Sequence, residues 1–181
     1  MNDLWLTSDL HLGDEWAAKL RYGKQNVAHH EQWLADAWDT CVRPGDQVWV
    51  LGDVSPQWPI GQIKDWLDDR PGDKHLVLGN WDEKYTQAAW RTLGGFTTVR
   101  GPGVLLYEDG ITVGLTHKPQ AVTGDGVRAT LHGHTHVKKQ KAHRDNRNRL
   151  LIHIGWDAWR KPVRWEQVVE IIEEEKRNGV E

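Results

Sequence analysis

Cysteine, methionine and phenylalanine occur once each in these 181 residues. The lone Cys41 rules out an internal disulfide, and its place on an apolar helical stripe reads as a buried thiol compatible with a reducing compartment. No apolar run approaches the ~20 residues needed to cross a bilayer. The opening stretch, MNDLWLTSDL, has neither a basic start nor a continuous apolar core. A cytoplasmic protein without a membrane partner is therefore expected. Neither sign of charge dominates: the formal net charge of −3 gives no global pull toward nucleic acid, so any basic recognition surface has to be local. Repeats, low-complexity segments and linkers rich in Gly, Ser or Pro are also missing, and one domain spanning 1–181 is expected.

Core material is present in normal supply, with 38% hydrophobic and 27% charged residues. Twelve Trp beside one Phe put indoles at core positions that Phe or Leu would fill elsewhere. Short apolar runs at Leu4 to Thr7, Val48 to Leu51, Leu76 to Leu78, Val104 to Tyr107, Ile111 to Thr116, Ala129 to Leu131 and Leu150 to Ile154 predict strands. Asp109-Gly110 predicts a hairpin, hence at least one antiparallel pair. Helical stripes run from Val27 to Cys41, stopped by Pro44-Gly45, and from Ile60 to Leu67. A weaker one covers Tyr85 to Leu93, and a last one follows Pro162 through Trp165, Val168, Val169 and Ile172. The class is α/β, with β-α-β-α-β-α first and mostly strands after.

Metal-binding types of residue stand directly after five of the strands: Asp9 and His11 in SDLH, Asp53 in LGD, Asn80 and Asp82 in LGNWD, His117 in LTH, and His134 and His136 in GHTH. Side chains from several strands converge beyond the carboxyl ends of an α/β sheet, where ligands bind. Singly, each has a plainer reading: Asp9 as a turn cap, Asp53 and Asn80 as loop residues after Gly, and His117 as a satisfied polar group. GHTH resists it, because an extended segment points His134 and His136 to one side and Gly133 lets the backbone turn in closely. Two carboxylates, four imidazoles and an amide suit Mn²⁺, Fe, Zn²⁺, Co²⁺ or Ni²⁺ better than Ca²⁺ or Mg²⁺. Seven donors exceed the needs of one tetrahedral ion and suffice for two octahedral ions if one carboxylate bridges and water completes the shells.

The order D-x-H, GD, GN-x-D, a lone His and GH-x-H resembles the calcineurin-like metallophosphoesterase family. More narrowly, WLTSDLHLG, VRPGDQVWVLGD, KHLVLGNWD, LHGHTH and IGWDAWRKPV are similar to small stand-alone members from bacteria and phages. The resemblance implies a four-layer αββα sandwich of two mixed sheets with two divalent transition metal ions at one edge, Mn²⁺ first among them. It assigns Asp9, His11 and His136 to one ion, Asn80, His117 and His134 to the other, and Asp53 to both. It also implies a hydrolase that attacks phosphorus with a hydroxide shared by the ions, with Asp53, Asn80, Asp82 and His136 as the catalytic set.

The chain departs from the family at Trp81, where GNH[DE] members carry the His that protonates the leaving oxygen, a role an indole N–H cannot fill. Three readings stay open: a substrate whose leaving group needs little protonation, a substitute acid such as His143, Asp82 or a metal-bound water, or a catalytically weak metal-binding module. Phosphodiesters or cyclic nucleotides, the 2′,3′-cyclic ones first, are the expected substrates, with a phosphomonoesterase or a nucleic-acid-binding module as the alternatives. Lys138, Lys139, Lys141, Arg144, Arg147 and Arg149 form a basic segment that reads as a solvated hairpin or as a platform for a nucleotide or nucleic acid strand. Expected substrate contacts are Trp81, Lys138, Lys139 and His143. Trp156 and Trp159 could stack on a base, although packing is the plainer reading, and Arg21 and Tyr22 could meet phosphate. His29, His30 and His75 are expected at the surface, while His132 and His153 are candidates for orienting ligands.

Overall fold

A computed structural model describes residues 2–178. Two mixed five-stranded sheets form an α/β sandwich with six α-helices among these residues. The first sheet runs β10-β1-β2-β3-β4, from β1 (Leu4–Thr7), β2 (Gln47–Val50), β3 (Asp73–Val77), β4 (Thr98–Arg100) and β10 (Val163–Arg164). Strands β1 to β4 are parallel, and β10 closes the β1 edge antiparallel. The second sheet runs β5-β6-β7-β9-β8, from β5 (Val104–Glu108), β6 (Ile111–Leu115), β7 (Val127–His132), β8 (Ala142–Arg144) and β9 (Leu150–His153). Its centre, β6-β7-β9, is parallel and both flanks are antiparallel.

Strand alternation sorts the core into two layers. Trp5, Val48, Val50, Leu76 and Val99 point to one side of the first sheet. There they meet α2 (His30–Cys41), α3 (Ile60–Asp68) and α4 (Gln87–Leu93) through Leu34, Trp38, Ile63, Leu67 and Trp90. Leu4, Leu6, Leu51 and Val77 point the other way and pack on Val113, Leu115, Ala129, Leu131 and Ile152 of the second sheet. Trp5, Trp38, Trp90, Trp156 and Trp165 are buried, so indoles do take the core positions expected of them.

The helix α6 (Trp165–Asn178) sends Trp165, Val168 and Ile172 into the inter-sheet cluster. Glu173 pairs with Arg128 near the start of β7, Glu175 with Arg144 on β8, and the Trp165 indole donates to Asp109 in the β5-β6 turn. It thus closes the end where the parallel strands begin, and the opposite end is left to the loops that follow them. Asp109 and Gly110 both have positive φ, 49° and 79°, as a two-residue hairpin of matching twist requires. No helix among the described residues is long and apolar enough to cross a membrane.

At the open end the sheets are joined. Ser8 and Gly155 form a parallel bridge, Trp156 N–H donates to Ser8 O at 3.0 Å, and Ser8 Oγ donates to Leu51 O at 2.7 Å. The loops after β1, β2 and β9 are thereby locked together.

Candidate metal centre

The loops after β1, β2, β3, β6 and β7 carry, in order, Asp9 with His11, Asp53, Asn80, His117, and His134 with His136. Close backbone approach makes their convergence feasible. A Cβ on Gly52 would stand 2.5 Å from Gly79 Cα, and one on Gly79 would stand 2.5 Å from Asp53 N, so neither position tolerates a larger residue. Among the described residues, five of the eight non-glycine residues with positive φ are members of the set: Asp9 (59°), His11 (53°), Asp53 (55°), His134 (70°) and His136 (50°). Such backbone costs on the order of 1 kcal/mol or more per residue and persists only where the surroundings enforce it.

Two trios result, Asp9/His11/His136 and Asp53/His117/His134, each with its ligand atoms within 4.8 Å of one another. Asp53 Oδ2 belongs to both neighbourhoods. It lies 3.1 Å from His117 Nε2 in its own trio and 3.7 Å from His11 Nε2 in the other. His117 Nε2 is also 3.2 Å from His134 Nδ1.

Three of the four imidazoles are oriented through their outer nitrogen. His11 Nδ1 donates to Asp14 Oδ2 at 2.7 Å, His136 Nδ1 to Asp157 Oδ2 at 2.8 Å, and His117 Nδ1 to Leu51 O at 2.8 Å. These bonds fix the tautomers and leave Nε2 as a lone-pair donor facing the centre. His11 Nε2 and Asn80 Oδ1 are buried with no hydrogen-bond partner. A buried unpaired donor atom is costly, and both are relieved by a cation. The residues present therefore fit a metal pair.

Without an ion, the imidazoles respond to the carboxylates around them. Burial lowers the basicity of His117, but the hydrogen bond to Asp53 and the charge of Asp9 outweigh it and lift the ring to about 9. His136 is raised in the same way, with Asp157 prevailing over burial. Burial raises the carboxyls of Asp53 and Asp157, yet His117 and the pair His136 and Arg21 pull them below the usual range. Both stay ionised, as ligation and orientation require.

Several expectations are corrected. Asp82 is completely buried and accepts N–H from Gly79, Asp53 and Val54 at 2.8, 2.9 and 3.0 Å. Burial lifts its carboxyl to about 6 against those bonds. It ties the loop of Asp53 to the loop of Asn80 and has no path to a leaving group, so it is a positioning residue, not an acid. His143 lies on β8 beside His132, ring centroids 5.6 Å apart, and does not line the cleft over the metal set. Lys138 and Lys139 do not line it either, and Lys138 Nζ caps Leu20 O at 2.9 Å. In the rest of the basic segment, Arg144 pairs with Glu175, Arg149 with Asp145, and Lys141 covers the Trp159 ring at 3.7 Å. The segment folds as the β8-β9 hairpin, with Arg144 and Arg149 neutralised by carboxylates.

Arg21 is buried, paired with Asp157 and bonded to the carbonyls of Asp9 and Leu10, so it cannot meet phosphate. Trp156 is buried and Trp159 donates to His153 O, which removes both from base stacking. His30 is buried against His11 O at 3.1 Å and His75 is half-buried, whereas His29 is exposed as expected. His132 and His153 are buried behind the site, His132 with Nε2 and His153 with both ring nitrogens lacking a partner, and neither bonds to a member of the metal set.

The cleft of about 410 Å³ is lined by metal-set residues together with Asp14, Trp16, Pro56, Gln57 and Trp81. Sequence reading missed Asp14, Asp157 and Trp16. The available signals were Asp14 three residues after His11 and Asp157 in the GWDAW segment.

No family model matches the chain. It is similar to the Gene 66 protein of Mycobacterium phage L5, 33% identical over an alignment of 198 positions that covers 95% of each chain. The Gene 66 protein of Mycobacterium phage D29 is 33% identical over 196 positions, covering 95% of this chain and 96% of the relative. The crystal structure of AQ665 from Aquifex aeolicus, described as a protein of unknown function, superposes with a TM-score of 0.73. It covers 94% of this chain and 100% of that one at 19% identity, a likeness of fold.

Two outcomes are expected. Asp82→Asn replaces one acceptor oxygen by an amide that faces backbone N–H groups, so urea denaturation should report a loss of about 1–3 kcal/mol. Neutralising Lys138, Lys139 and Lys141 together should leave the salt dependence of oligonucleotide binding unchanged, measured by fluorescence anisotropy, because these residues stand outside the cleft.

Proposed function

The chain belongs to the family of the Gene 66 proteins of mycobacteriophages L5 and D29, and we propose that it is a phosphodiesterase dependent on two metal ions. The reading rests on one observation above the others, the Asp53 carboxylate oxygen that faces His117 at 3.1 Å and His11 at 3.7 Å. Its order of motifs is that of calcineurin-like metallophosphoesterases, and the proposal includes that family's four-layer αββα architecture. The two sheets back to back, with α2, α3 and α4 outside the first, support it.

Asp9, His11 and His136 would hold one ion, Asn80, His117 and His134 the other, with Asp53 between them. Mixed nitrogen and oxygen donors favour Mn²⁺, with Fe, Zn²⁺, Co²⁺ and Ni²⁺ as competitors. Such a pair, when bound, activates water as a nucleophile and neutralises charge that develops on the phosphoryl oxygens. The chain's own residues set the rest. Asp14 and Asp157 hold His11 and His136 in the ligating tautomer, Arg21 keeps Asp157 ionised, and Asp82 fixes Asp53 against Asn80.

Diesters are favoured over monoesters on two grounds. No Lys or Arg lines the cleft to meet the second charge of a monoester dianion. No acid stands at position 81 either. The Trp81 backbone N–H donates to Asp53 Oδ1 at 2.9 Å, while its indole lines the cleft and cannot protonate a leaving oxygen. A leaving group that departs readily suits such a site, and 2′,3′-cyclic phosphates qualify through ring strain.

With Mn²⁺ added, the protein should hydrolyse bis(p-nitrophenyl) phosphate and 2′,3′-cyclic nucleotides. Metal binding without turnover on any diester would favour a non-catalytic metal-binding module instead. Trp81→His should raise alkyl ester rates by up to ~10²-fold with little gain on aryl diesters, since a positioned acid helps poor leaving groups most. An unchanged ratio of alkyl to aryl rates at intact metal content would contradict this account of Trp81.

A further inference from the structure

Two indoles flank the cleft and neither is used by the metal centre. Trp16 is 58% and Trp81 48% exposed, in a chain that buries Trp5, Trp38, Trp90, Trp156 and Trp165. Both are held in place by carboxylates that also organise the ligands. Trp16 N–H donates to Asp14 Oδ1 at 2.9 Å while the other Asp14 oxygen holds His11, and Trp81 N–H donates to Asp53 Oδ1. The Trp16 ring stands edge-on to His136, centroids 5.4 Å apart at 87°. The backbone under each indole is thus anchored to the site, the Trp16 ring packs on His136, and both rings present apolar faces to the cleft.

The remaining lining narrows what they can grip. Pro56 adds apolar surface, Gln57 offers an amide with both donor and acceptor, and no cationic side chain is present. A flat, uncharged group with a polar edge matches that combination, and about 410 Å³ accommodates a ligand of nucleotide size. We propose that Trp16 and Trp81 form an aromatic jaw for the nucleobase of a nucleoside phosphodiester, with Gln57 reading its edge. The phosphate end of this inference rests on the phosphoesterase reading above; the base end rests on the indoles alone.

The test compares ligands with and without a base. Binding of 3′-AMP, adenosine and glycerol 3-phosphate to the Mn²⁺-loaded protein is followed by calorimetry, for wild type and for Trp16→Ala, Trp81→Ala and the two Phe variants. Stacking contributes about 1–3 kcal/mol per base, so each Ala variant should weaken 3′-AMP and adenosine by roughly 10-fold, leave glycerol 3-phosphate unchanged, and be largely rescued by Phe. The KM for 2′,3′-cyclic AMP should rise in Trp16→Ala with little change in kcat. Equal weakening of 3′-AMP and glycerol 3-phosphate, or adenosine binding that ignores both substitutions, overturns the jaw. If adenosine binding depends on the indoles while no diester is hydrolysed, the jaw stands and the phosphoesterase reading falls.

Discussion

A buried carboxylate shared by two sets of imidazoles is the constraint on which the open end of this molecule is built. Asp53 has almost no exposed surface, yet its charge is retained because His117, the Trp81 N–H and the neighbourhood of His11 surround it. Holding it there requires Gly52 against Gly79, a left-handed backbone at Asp53 itself, and a second buried carboxylate, Asp82, to gather the loop N–H groups. Removing one member of a buried charge network costs several kcal/mol, so these features stand or fall together.

The same logic extends outward through hydrogen bonds. Asp14 both caps the helix α1 (Glu15–Tyr22) and orients His11, so the start of that helix and the ligand geometry share one side chain. Arg21, at the other end of α1, binds Asp157, which orients His136. One short helix therefore links loops from both sheets to the centre. Strain at the five left-handed positions Asp9, His11, Asp53, His134 and His136 is offset by this surrounding network, and a metal pair would supply the rest by satisfying His11 Nε2 and Asn80 Oδ1.

Central strands were legible in the sequence because burial on both faces writes a continuous apolar run, as in LWLT of β1. The strands that escaped notice, β4, β8 and β10, are two or three residues long and lie at sheet edges, where half-burial leaves no run to read. Helix α1 was missed because one of its three buried residues is Arg21, which breaks the apolar stripe. The convergence of Asp9, His11, Asp53, Asn80, His117, His134 and His136 was readable since each follows a strand in a compact motif. Asp14 and Asp157, which act by orienting His11 and His136, carry no such mark, because an acid beside a helix start looks alike whether it is solvated or buried. The basic segment left two readings open because its partners Glu175 and Trp159 are distant in sequence from most of it.

The central claim is that one carboxylate joins two ions. Electron paramagnetic resonance of the Mn²⁺-loaded protein reads this directly, because two ions sharing a bridging ligand are exchange-coupled. The account predicts two Mn²⁺ per chain with a coupled spectrum in the wild type, and loss of the coupling in Asp53→Ala. A single bound ion, or two uncoupled ions in the wild type, would contradict it.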